Sequence, residues 1–194
     1  MAEPLRVDEP TRRSLMDVAC AALVGKPFAA EPGPSTPMFG GVFVSLHLGA
    51  GDDRTLRGCM GTLACGEGLL SAVAHATVAA ATSDPRFAPV EPDEVRILDV
   101  EISVLSPLQP AAVEQVELGR HGVCVSRGGR RALLLPQVAA EHGWDRDTFL
   151  AQACLKAGLA PDAWHDGATL LEVFTAEVFG GPGAGPVEPN PTPA

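Results

Sequence analysis

The segment Leu56–Leu63 has the sequence Leu-Arg-Gly-Cys-Met-Gly-Thr-Leu. It limits the possible fold and function of this chain more than any other segment does. Its pattern is that of a β-strand, so the side chains of Arg57 and Cys59 are predicted to point to the same face. A nearby guanidinium favours the thiolate form of a cysteine. Gly58 and Gly61 allow a ligand or another backbone to approach closely. The segment therefore predicts a reactive cysteine, an anion pocket or a tightly packed structural ribbon.

Composition narrows the class of protein. The chain has 194 residues, of which 46% are hydrophobic, enough for one large domain or two small lobes sharing a core. Its net charge of −10 argues against a nucleic-acid surface. The absence of a long apolar stretch argues against a membrane segment. Five cysteines without a Cys-x-x-Cys pattern favour a reduced, cytoplasmic protein.

Helical and strand periodicities alternate along the chain. Antiparallel hairpins interspersed with helices predict an α+β fold. The long Pro- and Gly-rich segment 27–41 is predicted to be a loop, and the Gly- and Pro-rich segment 180–194 a disordered tail. Helices are predicted from Asp8 or Thr11 to Gly25, over 67–82, over 137–142 and from Asp145 to Gly158, and strands over 42–48, 54–63, 99–106, 122–126, 131–135 and 170–179.

Six motifs in a fixed order resemble one known family, the AMMECR domain family, named for the Alport syndrome–elliptocytosis chromosomal region. The resemblance spans roughly residues 11–179. The motifs are Leu-Arg-Gly-Cys-Met-Gly-Thr at 56–62, Ser-Asp-Pro-Arg-Phe at 83–87, Glu-Ile-Ser-Val-Leu-Ser-Pro at 101–107, Gly-Arg-His-Gly-Val at 119–123, Leu-Leu-Leu-Pro-Gln-Val-Ala at 133–139 and Cys-Leu-Lys-Ala-Gly-Leu at 154–159.

The resemblance implies two unequal α/β lobes with a cleft between them, and the Leu-Arg-Gly-Cys strand near that cleft. We assign the larger lobe to about 11–110 plus 165–179 and the smaller lobe to about 111–164, after an N-terminal tail over 1–10. The resemblance also implies a bacterial setting beside a Memo-type protein and a radical SAM protein. In that set, called AmmeMemoRadiSam, the chain is similar to the A component.

Cys59 is the predicted nucleophile, and Arg57 either favours its thiolate or orients an anionic substrate. The alternative is a small buried cysteine beside a structural arginine. Glu101 is a candidate general base if its strand pairs next to the Cys59 strand. The alternative for Glu101 is an edge charge or a structural partner of Arg57 or Arg86.

Arg86 is predicted to bind an anion together with Arg57, because two guanidinium groups bind a carboxylate or phosphate well. An ion pair within the turn Asp84-Pro85-Arg86-Phe87 is the alternative, with Asp84 binding its own backbone amides. Gly58 and Gly61 are assigned to the same substrate site. The five histidines have no metal-binding spacing, so no metal and no cofactor are predicted.

Two functions remain open from the sequence. The first is an enzyme or enzyme subunit with a Cys/Arg cleft that acts on a small anionic ligand or a protein side chain, alongside the Memo-type and radical SAM partners. The second is a non-catalytic binding or adaptor module for those partners. Nucleic-acid and membrane functions are not predicted for so acidic a chain without a long apolar segment.

Overall fold

A computed structural model describes residues 5–27, 38–49, 54–63 and 68–183 of the chain. The chain divides into two compact units. The first, here called the Cys59 unit, comprises Val7–Thr36, Gly41–Ser103 and Val178–Ala194. The second, here called the α4 unit, comprises Met1–Arg6, Pro37–Gly40 and Val104–Glu177.

The Cys59 unit begins with helix α1, Glu9–Leu23. Asp8 is its N-cap, and the Asp8 carboxylate accepts a hydrogen bond of 2.9 Å from Thr11 N–H, which satisfies one of the free donors of the first turn. After the helix, Gly25 takes a φ of 65°, a left-handed conformation that favours glycine. The predicted start and end of this helix agree with the structure.

The sheet of the Cys59 unit has four strands in the order β2-β1-β3-β8. Its members are β1 (Gly41–Leu48), β2 (Thr55–Thr62), β3 (Leu98–Leu105) and β8 (Ala176–Pro182). The β1–β2 pair is antiparallel, as the sequence predicts. Strand β2 lies at one edge, where unpaired backbone groups need other partners.

Helix α2, Leu69–Thr82, contacts α1, β1 and β2. Its alanine-rich sequence allows the helix to approach the sheet closely. The alternating inward residues of the strands and the inward faces of the helices form one apolar core. Fully buried members of this core include Leu15, Ala19, Val42, Val44, Leu46, Ala72, Val73 and Ile102.

The α4 unit contains a second four-stranded sheet, in the order β4-β7-β5-β6. Helix α4 is capped by Asp145, which accepts a hydrogen bond from Thr148 N–H, and Val123, Phe149 and Leu150 belong to the core of the unit. The elements are β4 (Gln109–Pro110), β5 (Gly122–Arg127), β6 (Arg130–Leu134), α3 (Pro136–His142), α4 (Arg146–Lys156) and β7 (Leu170–Phe174).

The predicted α+β class is confirmed, but the last strand was predicted wrongly. Instead of one strand over 170–179, β7 pairs with β4 and β5, and β8 joins the other sheet. Our assignment of 165–179 to the larger lobe therefore differs from the structure, where Leu170–Phe174 belongs to the α4 unit. Alternation alone carries no signal for a change of sheet at Thr175.

Two predicted irregular segments lie mostly outside the described residues. These are the loop, at 28–37, and the tail, at 184–194. Strand β8 and its hydrogen bond from Gly183 N–H to Leu98 O, 2.7 Å long, occupy the first residues that we assigned to the tail. Within the described residues no helix is long and apolar enough to span a bilayer. The interlobe cleft stays a prediction.

Candidate functional site

Cys59 lies on the face of the sheet that points away from α2. Its neighbour Gly58 is directed toward the helix, because a Cβ atom on Gly58 would collide with the Ala80 carbonyl oxygen. Side chains alternate along a strand, so Cys59 faces the opposite side. Across the β1–β2 ladder Cys59 pairs with Ser45, and both are partly buried. The sulfur therefore has neither the full burial of Cys124 nor full exposure.

The shared orientation predicted for Arg57 and Cys59 rested on regular alternation, which the structure interrupts. Leu46 pairs with Gly58 and His47 with Leu56, which leaves Arg57 as the extra residue of a β-bulge. A bulge re-aims the side chain of the residue that it inserts. Arg57 is thus directed by its own partners and not by the pleat of the strand.

Arg57 holds the segment that follows α2 against the edge of the sheet. Its Nε and Nη2 donate to the two carboxylate oxygens of Glu94 at 2.9 and 2.8 Å. Nη1 donates to Ala88 O at 2.7 Å, and Nη2 also reaches Pro89 O at 3.1 Å. The hydrogen bonds to Glu94 raise the pKa of Arg57 above its usual range. With four hydrogen bonds already made, this guanidinium acts as a structural clamp.

Asp84 connects the turn after α2 to the Cys59 backbone. Its Oδ2 accepts the Cys59 N–H at 2.8 Å, which satisfies an edge-strand donor. The same carboxylate accepts the Nη2, Nε and backbone N–H groups of Arg86 at 2.7, 3.0 and 3.1 Å. The side chain of Asp84 is only 2% exposed. The hydrogen bonds from Arg86, and then that from Cys59 N–H, hold the pKa of Asp84 far below its usual range.

Arg86 is the guanidinium that accompanies Cys59. Asp84 occupies the edge formed by Nε and Nη2. The hydrogen bonds that Arg86 donates to Asp84 are the main reason why the pKa of Arg86 is raised, and the interaction with the Cys59 side chain contributes in the same direction. The Arg86 side chain is 56% exposed, and its guanidinium lies 5.3 Å from the centre of the Phe87 ring. One edge is thus anchored and the other remains accessible.

Glu101 is placed apart from Cys59. Strand β1 lies between β2 and β3, so the strand pairing on which the role of Glu101 as a general base depended is not formed. The Glu101 carboxylate instead accepts a hydrogen bond of 2.6 Å from Arg54 Nη2. The sequence left this pairing open, because the order of strands in a sheet depends on contacts between distant segments.

Gly58 and Gly61 serve packing. A side chain at Gly61 would overlap the Phe43 ring and the Val42 carbonyl oxygen, and one at Gly58 would overlap the backbone of α2. Close backbone approach, one of the two roles predicted for these glycines, therefore accounts for both. The structural ribbon and the candidate cysteine site, which the sequence left as alternatives, coexist in the same strand.

A sequence model of the AMMECR1 family matches residues 14–179 of the chain. The chain belongs to the AMMECR1 family. A Methanothermobacter thermautotrophicus protein is 44% identical over 146 residues, which cover 72% of this chain and 74% of that protein. A Methanopyrus kandleri protein is 46% identical over 147 residues, covering 72% and 70% of the two chains.

A solved structure of a similar protein has the same fold. It is the crystal structure of the uncharacterized protein PH0010 from Pyrococcus horikoshii, which superposes with a TM-score of 0.75. The two chains are 37% identical, and the match covers 89% of this chain and 91% of the other. The relatives establish the family and the fold without naming an activity.

Two features of this AMMECR1-family site escaped the sequence analysis. The first is the hydrogen bond from Cys59 N–H to Asp84, which joins two motifs 25 residues apart. The second is that Arg86, and not Arg57, is the cation beside the Cys59 thiol. The turn Asp84-Pro85-Arg86 held the available signal, since an aspartate two residues before an arginine commonly binds that residue's backbone amide.

Proposed function

We propose that the protein is an enzyme or enzyme subunit that uses the Cys59 thiol and the Arg86 guanidinium on a small anionic substrate or an anionic protein side chain. The supporting observation is the double role of Asp84, whose buried carboxylate binds both Cys59 N–H and Arg86. One group thereby fixes the backbone of the nucleophile and the orientation of the cation, as a preorganised site requires. Arg57, Gly58, Gly61 and Glu101 take structural roles in this proposal.

In this arrangement the Arg86 side chain binds the substrate and the Cys59 side chain attacks it. A guanidinium has five N–H donors, and Asp84 takes one from Nε and one from Nη2 of Arg86. The remaining edge matches the two oxygens of a carboxylate or phosphate. An anion on that edge lies beside the Cys59 sulfur, where a thiolate is the nucleophile for an electrophilic atom of the same molecule.

The proposed partners are a Memo-type protein and a radical SAM protein. The support for them is the resemblance of six motifs to the AMMECR domain and the membership of the chain in the AMMECR1 family. In this proposal the chain supplies a thiol-containing site for a substrate that one of those partners produces or consumes. We propose a cytoplasmic setting.

The site is tested by comparing two alkylating reagents that differ in charge. Iodoacetate is anionic and iodoacetamide is neutral, so the ratio of their rates at Cys59 reports attraction by a nearby cation. In a Cys20→Ser, Cys65→Ser background, we expect Arg86→Gln to lower this ratio about threefold to tenfold, as expected for a partly exposed charge within a few ångströms. Peptide mass spectrometry measures the rate at Cys59.

The matched control is Arg13→Gln, which removes another exposed arginine of the Cys59 unit from helix α1. This variant should leave the ratio unchanged. High salt should reduce the ratio in the parent protein, because ions screen exposed charges. An unchanged ratio in Arg86→Gln, or a Cys59 that neither reagent modifies in the folded protein, would overturn the proposed site.

A second candidate function, the non-catalytic binding or adaptor module, is favoured by the closed set of hydrogen bonds around Asp84. That carboxylate and Arg86 form an ion pair that is complete without a ligand. Co-purification with the Memo-type partner distinguishes the two functions. Binding and partner-dependent turnover that both survive Cys59→Ser would favour the module, whereas binding without turnover would favour the enzyme.

A further inference from the structure

His47 lies on the same face of the sheet as Cys59. Ser45 and His47 are two residues apart on β1, so their side chains share a face, and Ser45 is the direct cross-strand partner of Cys59. His47 and Cys59 therefore lie on one face of neighbouring strands, with the bulge at Arg57 between their register positions. Diagonal neighbours in a regular antiparallel pair are about 7–8 Å apart, and the extra residue Arg57 makes this separation larger, so a ligand that contacts both residues must be extended.

His47 is a buried titratable group that the proposed site has not yet used. Its side chain is nine-tenths buried, since the residue is 9% exposed. Within the described part of the chain its buried Nδ1 atom has no hydrogen-bond partner. An unpaired buried polar atom costs stability, and a hydrogen bond from a water molecule or a polar ligand group would offset that cost.

The charges around His47 come from two neighbouring strands. Arg54, which directly precedes β2, and Glu101 of β3 form the ion pair already described, and Asp99 lies two residues before Glu101 on the same face of β3. Burial is the main reason why the pKa of His47 is lowered, and Arg54 adds to this effect, while Glu101 and Asp99 act against it. Glu101, assigned as a general base from the sequence, here becomes one of the groups around a histidine.

We propose that His47 and Cys59 belong to one ligand site, which extends from Arg86 at the edge of the sheet across β2 to β1. This inference rests on the proposed function, and it deepens it by naming the ligand class. The ligand has an anionic group for the open edge of Arg86. Beyond the Cys59 sulfur it has a second polar group that exchanges a hydrogen bond with His47. An imidazole in that position can exchange a proton with the bound ligand as an acid–base group.

The test measures whether a charge at Cys59 changes the pKa of His47. Alkylation of the Cys20→Ser, Cys65→Ser protein with iodoacetate puts a carboxylate on the Cys59 sulfur, whereas iodoacetamide adds a neutral group of similar size. Histidine titration by NMR should show a His47 pKa about 0.3–0.6 units higher in the anionic adduct, as expected for unit charges roughly 10 Å apart in a largely aqueous dielectric. The reference is His75, on helix α2 at the other face of the sheet.

A second pair of variants makes the test independent of thiol reactivity. Cys59→Asp and Cys59→Asn introduce the same difference in charge without alkylation, and near-UV circular dichroism checks that both are folded. A His47 titration that is equal in the two members of both pairs would overturn the shared site, even if the dependence of labelling on Arg86 is intact. Conversely, the pKa of His47 could depend on the charge at Cys59 while Arg86→Gln leaves the ratio of alkylation rates unchanged. That result would overturn the proposed anion site alone.

Discussion

Replacing Asp84 by asparagine is expected to reduce the free energy of unfolding by about 2–4 kcal/mol, because buried charge-assisted hydrogen bonds are lost. The carboxylate accepts four N–H groups, one from Cys59 and three from Arg86. An asparagine of the same shape offers one oxygen and one NH₂ group, so a donor of the amide faces a donor of Cys59 or Arg86. Chemical denaturation followed by circular dichroism measures the change.

The same substitution should weaken the dependence of stability on acid. The pKa of Asp84 lies in the folded protein well below the ordinary aspartate value of 3.8, so the carboxylate stabilises the fold fully above that value. That contribution is lost as the pH falls from about 5 downward, because the unfolded chain then binds the proton more readily. We expect a shallower loss of stability between pH 5 and about pH 3 in Asp84→Asn than in the parent protein.

Asp8→Asn is the matched control for both measurements. Asp8 also accepts a backbone N–H, from Thr11, but it is exposed at the start of α1. Asparagine is as good an N-cap as aspartate, so we expect a change of less than about 0.5 kcal/mol. Equal effects of Asp8→Asn and Asp84→Asn would contradict the view that Asp84 links the turn to the edge strand.

The helices and most strands could be predicted from the sequence because their signals are local. Asp8 and Asp145 precede runs of helical periodicity and both become N-caps. Gly25 and Gly158 follow those runs and both take positive φ angles, of 65° and 71°. The division of 170–179 between two sheets has no such local signal, since both strands alternate in the same way.

The site could be predicted in part. Cys59, Arg86 and the binding of backbone amides by Asp84 follow from motifs and turn chemistry. The bulge at Arg57 and the position of β1 between β2 and β3 arise from pairing between distant segments. Those two facts decide that Arg57 clamps Glu94 and that Glu101 pairs with Arg54. Candidate residues can therefore be identified from the sequence, whereas their hydrogen-bond and ion-pair partners depend on the fold.

Replacing Gly58 by alanine is expected to destabilise the Cys59 unit by about 3 kcal/mol, the upper range for overpacking a core. A Cβ atom there would collide with the Ala80 carbonyl oxygen of helix α2. The obstructing atom belongs to the backbone, so no rotation of a side chain relieves the collision, and α2 must move away from β2. Denaturant unfolding measures the loss.

Gly68→Ala provides the control, because among the residues that the structure describes none comes within 4 Å of a Cβ atom at Gly68. Gly68 is the N-cap of α2, where alanine is a poorer cap, so a cost of up to about 1 kcal/mol is expected. Since Gly58 precedes Cys59, any shift of α2 also moves the turn that holds Asp84 and Arg86 relative to the thiol. If Gly58→Ala is as stable as Gly68→Ala, the close contact between helix and strand is absent in solution, and the placement of Arg86 beside Cys59 loses its structural basis.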